Sequence, residues 1–202
     1  MSASLATLAP AGAVLAAFFA RSSKFPSSLF SWHPTLLGVG WLALTPYAIK
    51  YLRESKETTD VKEKAAKVQT HGILNGLAYA AIAGGLWAIW QNKENNAAAK
   101  KLVAKHLVSL HGKLGALTTV LGTSSLLLAA YRTTSHKTQS LYYLWRDKVH
   151  RYLGIAAYIT AGMTIVSIVN APWGKHNLGP AGQKILSAIL VLYHAAVVRV
   201  CL

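Results

Sequence analysis

Residues 67–91 read KVQTHGILNGLAYAAIAGGLWAIWQ: one charge, Lys67, stands at the entrance, a histidine follows at His71, and no acid interrupts the run. A hydrocarbon core about 30 Å thick is crossed by ~20 apolar residues in a helix. In lipid only a helix satisfies every backbone N–H and C=O within one open segment. The uncharged part, 69–91, is therefore a membrane-spanning helix. Working outward, five more apolar segments fall at 5–20, 31–51, 107–131, 149–169 and 182–201, separated by short basic loops. The first, extended to Ser4, has the apolar character of a secretory signal. It is expected to remain on the chain as a short span. Ser31 is the expected N-cap of the second helix, with Pro34 in its first turn. The fifth stops near Pro172.

Composition agrees with lipid as the main solvent. Hydrophobic residues make up 53% of the 202 and charged ones 13%, about half the share of a soluble globular chain. The formal charge of +15 comes from 21 Lys and Arg against six acids. These cations lie between the apolar runs, where lipid headgroups or an anionic substrate would meet them. No basic stripe with interleaved aromatics is present, so nucleic acid is excluded as a partner. All six acids lie in loops or at their edges, which argues against a carboxylate-driven pump. The one cysteine, Cys201, rules out an internal disulfide framework and a covalently attached haem. The expected class is an all-α bundle of six transmembrane helices forming one domain over 1–202.

Four of the eight histidines open helices: His33, His71, His111 and His150. Successive intervals are 38, 40 and 39 residues (33 to 71, 71 to 111, 111 to 150), one span plus one loop each time. Consecutive spans are antiparallel, so His33 and His111 share one membrane face and His71 and His150 the other. Two facing imidazoles per leaflet suit the axial positions of a six-coordinate haem, a site for electron transfer rather than oxygen binding. Glycines stand near each: Gly38 and Gly40 after His33, Gly72 and Gly76 after His71, Gly112 and Gly115 after His111, Gly154 after His150. Small residues there would let a flat porphyrin lie between helices, and Asn75 could donate a hydrogen bond from outside the ligand set. A lone histidine at a membrane interface is usually a polar group reaching to water. Four in matching positions favour two non-covalent b haems held by the four central helices. Two histidines per face are too few for a closed zinc site.

The other histidines carry less. His106, His136 and His176 lie at span edges or in loops and are expected to be solvated. His194 falls inside the sixth span, where an ionisable side chain is costly. It is either a hydrogen-bond donor to a haem propionate or a neutral histidine satisfied by a neighbour. The tryptophans, Trp32, Trp41, Trp87, Trp90, Trp145 and Trp173, sit mostly near helix ends, as interfacial aromatics do.

Four stretches carry a resemblance: SLFSWHP at 28–34, KVQTHGILN at 67–75, SLHG at 109–112 and HRYLG at 150–154. At these residues the chain resembles the cytochrome b-561 family, especially its small six-helix members without appended domains. The likeness covers essentially the whole chain. It implies haem ligands on the second to fifth helices, pairing second with fourth and third with fifth, which agrees with the topology above. It also implies a transmembrane reductase that takes electrons from ascorbate on the cytosolic side and delivers them to monodehydroascorbate or a ferric chelate. The stretch YAIKYLR at 47–53 looks like a degenerate form of the basic, aromatic stretch near the family's cytosolic haem. By that likeness Lys50, Arg53 and Lys67 hold an anionic donor through charge-assisted hydrogen bonds. The alternative is that they are ordinary positive-inside residues. The chain departs from the family at Gly112-Lys113, where ascorbate-using members tend to carry Ser-Trp, and this leaves the acceptor site open.

Sorting Lys and Arg by face places twelve with the termini and nine opposite, so both termini are expected on the cytoplasm-like side of an endomembrane or organellar inner membrane. Electrons would enter near His71 and His150 and leave near His33 and His111, the irons roughly 20 Å apart across the core. Two roles compete. One is a free-standing carrier, alone or as a homodimer, serving a small anionic donor and acceptor. The other is a haem-bearing or structural accessory subunit of a larger respiratory or photosynthetic membrane complex. The second is favoured by the absence of acids over the first 53 residues and by the eroded substrate stretch.

Overall fold

A computed structural model describes residues 3–135 and 148–201, so the expectations for His136 and Trp145 fall outside the described residues. The described chain is all-helical, with six helices. These are α1 (Ala3–Ser22), α2 (29–57), α3 (Val61–Ala99), α4 (Leu110–Ser135), α5 (Lys148–Val169) and α6 (Pro172–Cys201). Helices α3, α4, α5 and α6 are long and apolar enough to cross a membrane, while the apolar part of α1, Thr7–Ser22, is shorter. Large apolar side chains lie exposed along them, Leu77, Val120, Leu127 and Leu192 among them, as expected of surfaces wetted by lipid.

The helix boundaries depart from the hydropathy reading for local reasons. Helix α2 starts earlier than Ser31. Its N-cap is Ser28, whose hydroxyl accepts from the Ser31 N–H while Ser31 returns the bond to the Ser28 N–H, a reciprocal capping box. Pro34 therefore sits a turn deeper than expected, and its missing N–H leaves the Phe30 carbonyl without the usual helical donor. Between Leu29–Gly38 and Thr45–Glu57 the helix widens into a π turn over Val39–Leu44. Helix α3 continues well past 69–91 at both ends. Its foot is capped by Asp60, whose carboxylate accepts from the N–H groups of Lys62 and Glu63 at 2.7 and 3.0 Å. Helix α6 begins ten residues before the expected 182, but Gly179 breaks it with φ 65° and ψ 173°. Glycine alone takes that conformation without strain, and Pro180 then starts the main segment.

The chain divides into two compact units. The first joins Met1–Glu54 to Thr70–His106. Within it α1 packs on α2 at Gly38, where an added Cβ would lie 3.3 Å from the Ala16 Cα. Helices α2 and α3 form a tight antiparallel hairpin. A Cβ at Gly40 would come within 2.7 Å of Ile82 Cγ1 and 2.9 Å of the Ala78 carbonyl oxygen. Trp41 is buried here rather than interfacial, with its ring edge-on to Tyr79. The second unit joins Ser55–Gln69 to Leu107–Leu202. There α4 and α5 form a second hairpin and α6 packs on α5. Gln183 caps the Val169 carbonyl at 2.8 Å, Asn170 reaches Ser187 at 2.9 Å, and Arg151 donates to the Cys201 carbonyl at 3.0 Å.

Candidate functional site

All four helix-opening histidines are held in the same way. In the first hairpin the His33 Nδ1–H donates to the Gly85 carbonyl on α3, and the His71 Nδ1–H donates to the Ala48 carbonyl on α2, both at 3.0 Å. In the second hairpin the His111 Nδ1–H donates to the Thr164 carbonyl on α5, and the His150 Nδ1–H donates to the Ser125 carbonyl on α4, again at 3.0 Å. Each helix of a hairpin thus carries one histidine and the carbonyl that receives its partner's ring. The two histidines of a hairpin stand at its opposite ends.

The chemistry follows from the acceptor. A carbonyl oxygen can only accept, so the proton belongs on Nδ1 and the Nε2 lone pair is the one that can donate to a metal. Donation of the second ring N–H to a carbonyl is the usual support of a metal-bound imidazole: it fixes the tautomer, fixes the ring plane and raises ligand basicity. All four rings are half-buried. The fit to a group held by pairs of neutral imidazoles is therefore good. No cluster of three or more His, Cys, Asp or Glu side chains able to hold a metal occurs among the described residues.

Around this common frame the hairpins differ. The Ser125 hydroxyl lies 3.1 Å from His150 Nδ1 and also donates to the His150 carbonyl. The Ser167 hydroxyl shares the Thr164 carbonyl with His111, bonding it at 2.7 Å and lying 3.4 Å from the ring nitrogen. In the first hairpin the Asn75 amide nitrogen is 3.2 Å from His71 Nε2 and also donates to the His71 carbonyl.

The glycines divide by role. Gly38 admits α1, and Gly115 and Gly154 line the α4–α5 contact, where a Cβ would meet Thr164 Cγ2 at 3.7 Å and Ser125 Oγ at 3.5 Å. Gly112 faces the chain that precedes it, at Leu107. Gly72 and Gly76, next to His71 and a turn beyond, face open space. At Gly85, absent from the sequence reading, an added Cβ would lie 3.2 Å from the His33 carbonyl oxygen. The acceptor carbonyls themselves leave no trace in residue type, since every residue has one.

Two of the three basic candidates are each engaged by a carboxylate of their own helix. Lys50 pairs with Glu54 at 3.4 Å and Lys67 with Glu63 at 2.7 Å, each one turn along its own helix. At the charged foot of α3, ahead of its apolar stretch, the Lys67 hydrogen bond, then that of Thr58, holds the Glu63 carboxyl below its ordinary range. Arg53 is half-buried on α2.

The remaining described histidines differ from one another in their surroundings. His106 is half-buried rather than fully solvated. Its ring stacks on Trp90 with centroids 3.7 Å apart, and Nε2 meets the Glu94 carboxylate at 2.8 Å. The aromatic face and the carboxylate, both on α3, shelter it from water. His194 is buried. Its Nδ1–H donates to the Leu190 carbonyl at 2.8 Å, and its ring lies against Gly162 of α5, where a Cβ would come within 2.7 Å of it. Its Nε2 is buried without a hydrogen-bond partner. His176 is exposed, as expected.

The model of the family described as eukaryotic cytochrome b561 matches residues 32–173, a span that contains both hairpins and all four pinned histidines. No curated protein and no solved structure matches the chain.

Proposed function

The chain belongs to the eukaryotic cytochrome b561 family, and from that membership we propose that His33, His71, His111 and His150 ligate two non-covalent b haems, His33 pairing with His111 and His71 with His150. Membership makes the chain a multi-pass membrane protein of haem-dependent electron transfer. The single observation that carries the finer reading is the set of four Nδ1–H···O=C bonds. They present four neutral imidazoles through Nε2, one at each end of two hairpins.

Held by these imidazoles, each haem would supply one-electron exchange. The residues of this chain supply the rest. The carbonyls of Gly85, Ala48, Thr164 and Ser125 hold the rings in one orientation, so little reorganisation accompanies a change of charge. The open space beside Gly72 and Gly76 gives room for a flat apolar plate next to His71, with Asn75 positioned to hydrogen-bond beside it. Gly38, Gly115 and Gly154 act chiefly by letting helices approach, and Gly112 by letting the chain at Leu107 lie close against its own helix. The proposed direction is from an ascorbate-type donor near Lys50, Arg53 and Lys67 to a monodehydroascorbate or ferric acceptor on the other face. The termini lie on the cytoplasm-like side of an endomembrane or organellar inner membrane, and the whole chain works as one domain, alone or as a homodimer.

One observation favours a second reading. Lys50 and Lys67 are already engaged by Glu54 and Glu63, so an anionic donor must compete with carboxylates for them. An accessory subunit that receives electrons from a protein partner avoids that competition.

A reduced-minus-oxidised spectrum with haem extraction on the purified chain tests the proposal. Two b haems per chain are expected, and His71→Ala should retain one. Absence of haem, or two haems at full occupancy in the variant, overturns the ligand assignment. Reduction by ascorbate alone separates the free-standing carrier from the subunit.

A further inference from the structure

Within each hairpin a helix must present two things to its partner: a histidine and, further along, the carbonyl that takes the partner's Nδ1–H. Three of the four helices use one spacing. Gly85 lies fourteen residues after His71, Thr164 fourteen after His150, and Ser125 fourteen after His111. On α2 the interval from His33 to Ala48 is fifteen. Helix α2 is also the one with a π turn, and that turn, Val39–Leu44, lies between His33 and Ala48.

These two facts explain each other. At 3.6 residues per turn, one additional residue of unbroken α-helix would swing the Ala48 carbonyl about 100° around the axis and lift it about 1.5 Å. It would then point away from α3. A π turn, with its i→i+5 hydrogen bonds, is a bulge in the α ladder that takes up a residue. The His71 Nδ1–H···O distance confirms the outcome, since at 3.0 Å it equals the other three. The turn is well built. The Gly40 carbonyl accepts both the Thr45 N–H and the Thr45 hydroxyl, the latter at 2.9 Å. Gly40 also lets the bulge lie against Ala78 and Ile82.

We propose that the π turn at Val39–Leu44 is a register correction that takes up one surplus residue, so that the Ala48 carbonyl positions the His71 imidazole as Ser125 positions His150. Ala48 acts through His71 and is a positioning residue. The two hairpins are then two copies of one clamp with a common fourteen-residue spacing. The consequence for haem binding rests on the ligand assignment proposed above.

Deletion of Ala43 in the full chain tests this. It restores the fourteen-residue spacing, so α2 should close as an uninterrupted α-helix. Two haems per chain, the electron paramagnetic resonance signals of both and the thermal midpoint should match those of the unaltered protein. The matched deletion of Leu121 in α4 shortens a spacing that has no surplus and should lose the haem of His71 and His150. Thr45→Val should perturb the signal of that haem alone in the full-length helix. The effect should vanish when Ala43 is also deleted. Failure of the Ala43 deletion to fold, loss of half its haem, or equal tolerance of the Leu121 deletion overturns the proposal. Absence of haem from the unaltered protein overturns the ligand assignment instead. The thermal midpoints of the two deletion variants, unchanged for Ala43 and lowered for Leu121, then decide the register question alone.

Discussion

Ser125 offers His150 two oxygens at once: its carbonyl stands 3.0 Å and its hydroxyl 3.1 Å from the same ring nitrogen. Its counterpart Ala48, opposite His71, has only the carbonyl to give. The pair of imidazoles proposed for one haem is therefore asymmetric in how strongly each N–H is held. A stronger pull on Nδ1–H makes an imidazole a better donor to iron and favours the ferric state.

Ser125→Ala keeps the carbonyl and removes the hydroxyl. The haem count should stay at two, and the midpoint potential of one haem should rise by on the order of 20–40 mV. That is the one-electron equivalent of a hydrogen bond worth about 0.5–1 kcal/mol. Potentiometric titration monitored optically reads this directly. An unchanged potential for both haems sinks the argument.

Gly85→Ala tests a close approach in the first hairpin. A Cβ there would overlap the Leu37 side chain and lie 3.2 Å from the His33 carbonyl oxygen. The helices must part at the point where the His33 ring is pinned. A loss of about 1–3 kcal/mol is expected, as for other overpacked sites. The haem of His33 and His111 should be lost before the other. Thermal melting followed at the Soret band measures both.

Gly162 and His194 form a coupled pair in the second unit, ring against backbone. Gly162→Ala alone should destabilise by about 1–3 kcal/mol. His194→Ala removes the obstacle, so the double variant should be more stable than the sum of the single effects implies. If His194 instead serves a haem propionate, His194→Ala shifts a midpoint potential, and the double variant keeps that shift.

The basic candidates make a kinetic prediction. If they hold the donor, Lys50→Ala and Lys67→Ala should each raise the KM for ascorbate by about three- to tenfold and leave kcat unchanged. Glu54→Gln, which releases Lys50 from its partner, should lower it. The Glu63–Lys67 pair has its own pH signature. Because the Glu63 carboxyl titrates below its ordinary range, the pair persists as pH falls through that range and dissolves only below it. Carbon-detected NMR titration of Glu63 follows this. Insensitivity of KM to all three substitutions leaves only their role in orienting the chain in the membrane.

Much of this was legible in the residues. Hydropathy located six helices, because lipid demands long apolar runs, and spacing singled out four histidines that share one pinning geometry. What stayed hidden depends on backbone rather than side chain. The carbonyls of Gly85, Ala48, Thr164 and Ser125 belong to unrelated residue types, so no motif could announce them. The π turn left only Gly40 and Thr45 as hints. Helix α3 outran its apolar stretch because Asp60 and the Glu63–Lys67 pair sustain helix in water, where hydropathy is silent. The partial cover of His106 stayed hidden because Trp90 and Glu94 lie more than ten residues back along the chain.

The reciprocal clasp within a hairpin also bears on biogenesis. Each clasp joins two helices that are neighbours along the chain, so both parties leave the ribosome within one stretch of synthesis and meet without waiting for distant segments. The rings are immobilised as the hairpin closes, and their rotational freedom is surrendered then rather than at cofactor capture. On the proposed ligand assignment, a newly made chain would thus reach its cofactor with its imidazoles already aimed.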